Sequence, residues 1–143
     1  MTIRMGGDRK QSFHPGQRPR MRLLLDTHVL IWLATTPEKI PVSTRRVISA
    51  SGNVFISAAT AWEYGIKRGK SAANLPFSLE ALIADTHFER LDFPFKCHRF
   101  AEGLPAIHRD PFDRLLIAHA LVLGATLVTI HEAIHRYPVK TLW

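Results

Sequence analysis

Short all-apolar runs of strand length alternate along this chain with longer stretches in which apolar residues recur at helical spacing. Met21 to Asp26 is such a run, closing on a carboxylate, as a buried parallel strand does. Asn53 to Ile56 and Ala125 to Thr129 repeat the pattern, and Glu89 to Phe93 and Val139 to Leu142 are shorter, more mixed candidates. Between them the spacing predicts helices over Thr27–Ala34, Ser43–Ser49, Ser57 to about Arg68, Phe77–His87, Phe95–Gly103 and His131–Tyr137, with Gly69 to Pro76 a loop and Pro105 a turn.

The clearest helix runs from Asp110 to Gly124. Asp110-Pro111-Phe112-Asp113 supplies an N-cap acceptor, a proline at the first helical position and a carboxylate at the third, while Gly124 suits the C-cap. Leu115 to Leu123 is almost continuously apolar, so this helix is expected to be buried, and Asp113 shares a side with Leu116, Ile117 and Ala120. A carboxylate so placed needs partners. Ser57 caps another helix, whose apolar side is expected to hold Ala59, Trp62 and Ile66.

Strands alternating with helices at this spacing argue for an α/β fold with a parallel sheet covered on both faces. Sites in such sheets form beyond the carboxyl ends of the strands. Asp26 stands at one of those ends, Glu63 on the helix after the second strand, and Asp113 in the first turn of the helix feeding a later strand.

Composition narrows this picture. With 143 residues, 46% hydrophobic and 22% charged, the chain fits one soluble domain with a real core. It has no apolar run of membrane length, so no membrane partner is expected. The single cysteine, Cys97, excludes an internal disulfide and a multi-cysteine zinc site and makes a reducing, cytoplasmic setting the default. Of the net charge of +7, residues 1–20 carry +4; rich in Gly, Pro, Arg and Gln, they read as a disordered basic tail. Met21, which opens the first strand, reads as an alternative initiator, and the domain proper as residues 21–143.

The carboxylates carry the chemistry. Two of them 4 Å apart repel by about 4 kcal/mol at an effective dielectric of 20, so a converging set calls for a cation. Oxygen ligands without cysteine favour Mg²⁺ or Mn²⁺. Taken singly, Asp26 and Asp110 are equally readable as helix caps, and Glu63 as a solvated acid. Lys67, Arg68, Lys70 and Arg114 are candidate phosphate contacts. His28 and His119 read as packed histidines, and Trp32, Trp62, Phe55 and Phe112 as core or interface residues.

Leu23-Leu24-Leu25-Asp26-Thr27-His28-Val29-Leu30-Ile31-Trp32, Ser57-Ala58-Ala59 with Trp62-Glu63, and His108-Arg109-Asp110-Pro111-Phe112-Asp113-Arg114 followed by Leu127-Val128-Thr129 resemble PIN-domain ribonucleases. The nearest resemblance is to the VapC-type toxins of toxin–antitoxin pairs, and it extends from Met21 to Trp143. It implies a three-layer α/β/α sandwich around a mostly parallel sheet and Mg²⁺- or Mn²⁺-dependent cleavage of RNA. It also implies a cognate antitoxin protein as partner, and a homodimer, for which the helices from Thr27 and Phe77 offer apolar surface. Asp26, Glu63 and Asp113 fall on its acidic metal-binding positions, and Asp110 on an accessory acid. Where the family places a fourth acid, this chain has Ile130-His131-Glu132, with His131 at the acid's position and Glu132 one residue later. The alternative is therefore a catalytically impaired PIN-like module that binds RNA or antitoxin. A receiver-like phosphoacceptor does not fit, because Asp26 is followed by Thr27 and His28 rather than by a second acid.

Overall fold

The computed structural model describes residues 21–143; the basic tail lies outside the described residues. Five parallel strands form one sheet in the order β3-β2-β1-β4-β5. They are β1 (Leu23–Leu25), β2 (Val54–Ser57), β3 (Glu89–Leu91), β4 (Thr126–Val128) and β5 (Thr141–Leu142). β1 is central, with Leu24 in register with Phe55 on one side and Leu127 on the other.

Alternation along the strands divides the core into two layers. Leu23 and Leu25 face one cluster with Val54, Ile56 and Val128, against Val29 and Leu30 of α1 (Thr27–Thr35), Ile48 of α2 (Val42–Ala50) and Ile83 of α4 (Leu79–Ile83). Leu24 and Leu127 face the other, with Ala59 of α3 (Ala58–Lys70), Leu116, Ile117 and Ala120 of α6 (Pro111–Leu123), and Ile134 of α7 (Glu132–His135). Helices thus cover both faces, and the central strands are apolar on both sides because both sides are buried. The short α5 (His98–Gly103) packs on α6.

The order places a topological switch between β1 and β4. The chain leaves β1 towards β2 and leaves β4 towards β5, so a crevice opens between their carboxyl ends. Asp26 and Thr129, the residues just beyond those ends, stand on its two sides. Because α6 runs back along the sheet to enter β4 at its amino end, its N-terminus, with Asp110 and Asp113, lies at the same carboxyl edge.

Local chemistry moved several expected elements. The helix expected over Phe77–His87 is only Leu79–Ile83: Ser78 caps it by accepting from Ala81 N, Phe77 carbonyl is taken by Tyr64 hydroxyl at 2.6 Å, and Thr86 closes its end on Ile83 carbonyl at 2.7 Å. Phe95–Gly103 divides into a 3₁₀ turn, Phe95–Cys97, and α5. The outward face of α3 also differs. Thr60 and Tyr64 are buried beside Ala59, whereas Trp62, expected as core or interface, is 69% exposed and Ile66 is exposed too. In α1, Trp32 and Leu33 pack partly against the core, so the larger uncovered apolar surface is on α3.

Candidate active site

Asp26 is fixed by the position its sequence gives it. Extended backbone at the end of β1 makes it the N-cap of α1, and its Oδ1 accepts from Val29 N at 3.1 Å. Its Oδ2 accepts from the Thr129 hydroxyl across the crevice at 2.5 Å, and its own N–H donates to Val128 carbonyl at 3.1 Å. The side chain is buried, and both of its oxygens accept hydrogen bonds.

Three polar side chains crowd beside it. His131 Nε2 lies 3.7 Å from Asp26 Oδ2 and 3.3 Å from His28 Nδ1. His131 N donates to the Thr129 hydroxyl oxygen at 3.1 Å, so one threonine orders both the aspartate and the histidine. Lys67 Nζ sits 3.4 Å from His28 Nε2. An ammonium can only donate, so His28 accepts at Nε2 and carries its proton on Nδ1, facing His131. Burial is the main cause of a lowered His28 pKa, reinforced by Lys67 and opposed by Asp26 and Glu63.

Asp113 heads a second group. Its Oδ2 pairs with His108 Nε2 at 2.8 Å, and Asp110 caps the helix through Oδ1, accepting from Phe112 N at 2.8 Å and Asp113 N at 3.3 Å. Burial raises the Asp113 pKa first, Asp110 adds to the rise, and Asp26 contributes further; His131 and the His108 bond oppose it. This carboxylate is short of positive charge.

Among the described residues, donor atoms of Asp26, His28 and His131 lie within 4.8 Å of one another, and so do those of His108, Asp110 and Asp113. The acids are therefore divided between two neighbouring groups, each completed by histidine. Glu63, half-buried on α3, belongs to neither group but is near enough to act on His28. Glu132 is exposed in the first turn of α7 and belongs to neither.

Of the expected phosphate contacts, Lys67 reaches this cluster. Arg114 lies beside the second group: its Nη1 donates to Pro105 carbonyl at 3.1 Å, to Tyr137 hydroxyl at 3.3 Å and to His108 carbonyl at 3.5 Å, bracing the loop before α6. Arg68 is likewise committed, to Leu75 carbonyl at 3.2 Å, and Lys70 is exposed. His119 is the packed histidine expected, bonded through Nδ1 to Ser57 hydroxyl at 2.8 Å, and burial lowers its pKa to about 4. His28, expected to be packed, instead joins the cluster. His108 and Thr129 were not foreseen as site residues; the one signal for them is their place beside acids at strand and helix ends.

A doubly wound α/β/α domain with acids and histidines gathered at its switch point is the class of molecule these observations define. The PIN domain family model matches residues 23–140, and the chain belongs to that family. In fold it is similar to a chain of VapBC2 from Rickettsia felis bound to a promoter DNA fragment, with a TM-score of 0.68 and 23% identity over 85% of this chain and 98% of that one. DNA-bound VapBC from Salmonella typhimurium gives 0.66 and 22%, over 85% and 97%. VapBC-1 from nontypeable Haemophilus influenzae gives 0.57 and 21%, over 85% and 97%. No curated protein sequence matches the chain. No helix among the described residues is long and apolar enough to cross a membrane.

Proposed function

We propose that this chain is a metal-dependent ribonuclease acting as the toxin of a toxin–antitoxin pair. The observation that carries the reading is the pair of buried carboxylates, Asp26 and Asp113, set at the carboxyl edge of the sheet within two adjoining groups of metal-donor side chains. The carboxylates suit a hard divalent cation, Mg²⁺ or Mn²⁺, and the imidazoles beside Asp26 are a ligand type that Mn²⁺ accepts more readily. Both Asp26 oxygens accept a hydrogen bond and keep further lone pairs free, and Asp113 lies where Asp110 and Asp26 leave negative charge uncompensated.

Asp26 and Asp113 would hold the ion, with Glu63 as the third acid and His131 beside Asp26. When bound, the ion supplies polarisation of the scissile phosphate and a more acidic attacking water. Thr129 and Val29 N keep the Asp26 oxygens in one orientation, so no reorganisation is needed as the substrate arrives. Lys67, whose Nζ lies 3.4 Å from His28 Nε2, would meet a phosphate oxygen. A carboxylate, Glu63 among them, accepts the water's proton.

The likeness of fold to chains of VapBC complexes supports an antitoxin protein as partner, and Trp62 and Ile66 exposed on α3 support a homodimer. A second reading, a module that binds without cutting, is favoured by one observation: an imidazole, not a carboxylate, stands 3.7 Å from Asp26. Incubating the full chain, freed of any partner, with RNA in Mg²⁺, Mn²⁺ or EDTA decides between them. The nuclease reading expects cleavage that EDTA, Asp26→Asn and Asp113→Asn each abolish. Cleavage that survives Asp26→Asn overturns it, and cleavage gained only in His131→Asp establishes the binding module.

A further inference from the structure

The imidazoles that crowd Asp26 set the ion that this pocket takes. We propose that Asp26, His28 and His131 form a mixed carboxylate–imidazole site that selects nitrogen-accepting divalent ions, Mn²⁺ and more strongly Co²⁺ and Zn²⁺, over Mg²⁺. This rests on reading the Asp26 pocket as a metal site and is independent of RNA cleavage.

Spacing is the first argument. A tetrahedral ion with ligands at about 2.0–2.2 Å separates its donor atoms by about 3.3–3.6 Å. His131 Nε2 lies 3.3 Å from His28 Nδ1 and 3.7 Å from Asp26 Oδ2, while octahedral Mg²⁺ at about 2.0–2.1 Å draws adjacent ligands to about 2.9 Å. Donor chemistry is the second. Two imidazoles and one carboxylate are a ligand set that Zn²⁺ and its neighbours accept, whereas Mg²⁺ demands oxygen. Construction is the third: Thr129 donates its hydroxyl proton to Asp26 and accepts from His131 N, so a single buried side chain orders two of the three ligands. His28 is held as well, its ring 5.9 Å from Trp32 and its Nε2 against Lys67. With an ion held at Nδ1, His28 would carry its proton on Nε2 and would no longer accept from Lys67.

The test uses EDTA-stripped full chain, titrated with Mg²⁺, Mn²⁺ and Zn²⁺ by calorimetry and with Co²⁺ by visible absorption. The expected result is one Co²⁺ per chain with the intense visible bands of four-coordinate geometry, displaced by Zn²⁺ and not by equimolar Mg²⁺. His28→Gln and His131→Gln each weaken Co²⁺ by at least about tenfold. His87→Gln, beside Ser51 at the amino edge of the sheet, leaves the affinity unchanged, and His131→Asp shifts preference towards Mg²⁺. Equal affinity for Mg²⁺ and Zn²⁺, lost in Asp26→Asn but not in His131→Gln, overturns the selection and leaves the metal-site reading intact. No binding of any ion overturns both.

Discussion

The two buried aspartates at the carboxyl edge solve the same problem in opposite ways. Asp26 is stabilised by groups the fold cannot avoid placing there: the first turn of α1, whose N–H it caps, and the end of β4, whose Thr129 it meets across the switch point. Asp113 has one imidazole, His108, contributed by the loop before α6, and it faces Asp110 and Asp26 as like charges. One carboxylate belongs to the architecture and the other waits for a counter-charge. A pocket built from such a pair binds a cation at little structural cost, because half of it is fixed before the ion arrives.

The largest break in this comparison is chemical. Asp26→Asn keeps the shape and one accepting oxygen and removes the charge, and RNA cleavage is expected to fall by at least about a hundredfold, the loss of a few kcal/mol of transition-state stabilisation. Asp113→Asn is expected to lose cleavage as well, but its effect on stability has the other sign. Its pKa is raised in the fold, so the folded chain holds that proton more tightly than the unfolded one, and ionisation at neutral pH opposes folding. The metal-free Asp113→Asn chain should therefore melt no lower than wild type at pH 7, a relative gain that shrinks as the pH falls.

The same α6 helix carries a third buried ionisable group, which needs no counter-charge because it stays neutral. His119, with a pKa lowered to about 4, binds a proton more weakly in the folded chain than in the unfolded one. Its contribution is complete above about pH 6.5 and is lost as the pH falls towards 4, amounting to roughly 3 kcal/mol. Denaturant melts at successive pH values should show that acid limb, and His119→Leu should flatten it. Thr129→Val sharpens the contrast further. It leaves a buried Asp26 oxygen without its donor, for about 1–3 kcal/mol by denaturant unfolding. Asp110→Ala, at the less committed end, should cost only about 1 kcal/mol, the ordinary value of a helix cap.

What was legible in the sequence on both sides of the pocket is what local physics fixes. Leu23 to Leu25 closing on Asp26, and Asp110-Pro111 opening an apolar helix that ends at Gly124, are local patterns whose physics is complete within a few residues. Strand, cap and C-cap all formed as their residues dictate, with Gly124 at φ 62°. What could not be read is what depends on distant partners. The bonds of Asp26 to Thr129 and of His28 to His131 each span 103 positions, and no periodicity announces them. The charge of Arg114 is visible in the sequence, while Pro105 and Tyr137, to which its Nη1 donates, come within reach only once the loop has folded back. The buried face of α3 was misread for a related reason. Trp62 is the more apolar residue, but Tyr64 has a carbonyl to reach at Phe77, and the packing follows the hydrogen bond.

The most direct test of the account asks what the RNA ends look like after cleavage. If a water held at the Asp26 and Asp113 pocket is the nucleophile, Mn²⁺-dependent products carry linear phosphate and hydroxyl ends, and EDTA abolishes them. If His28 and His131 instead act as acid and base on the RNA's own 2′-hydroxyl, the products carry 2′,3′-cyclic phosphates and form in EDTA. Linear ends that require the metal and Asp26 are the predicted result; cyclic ends formed without metal would contradict it.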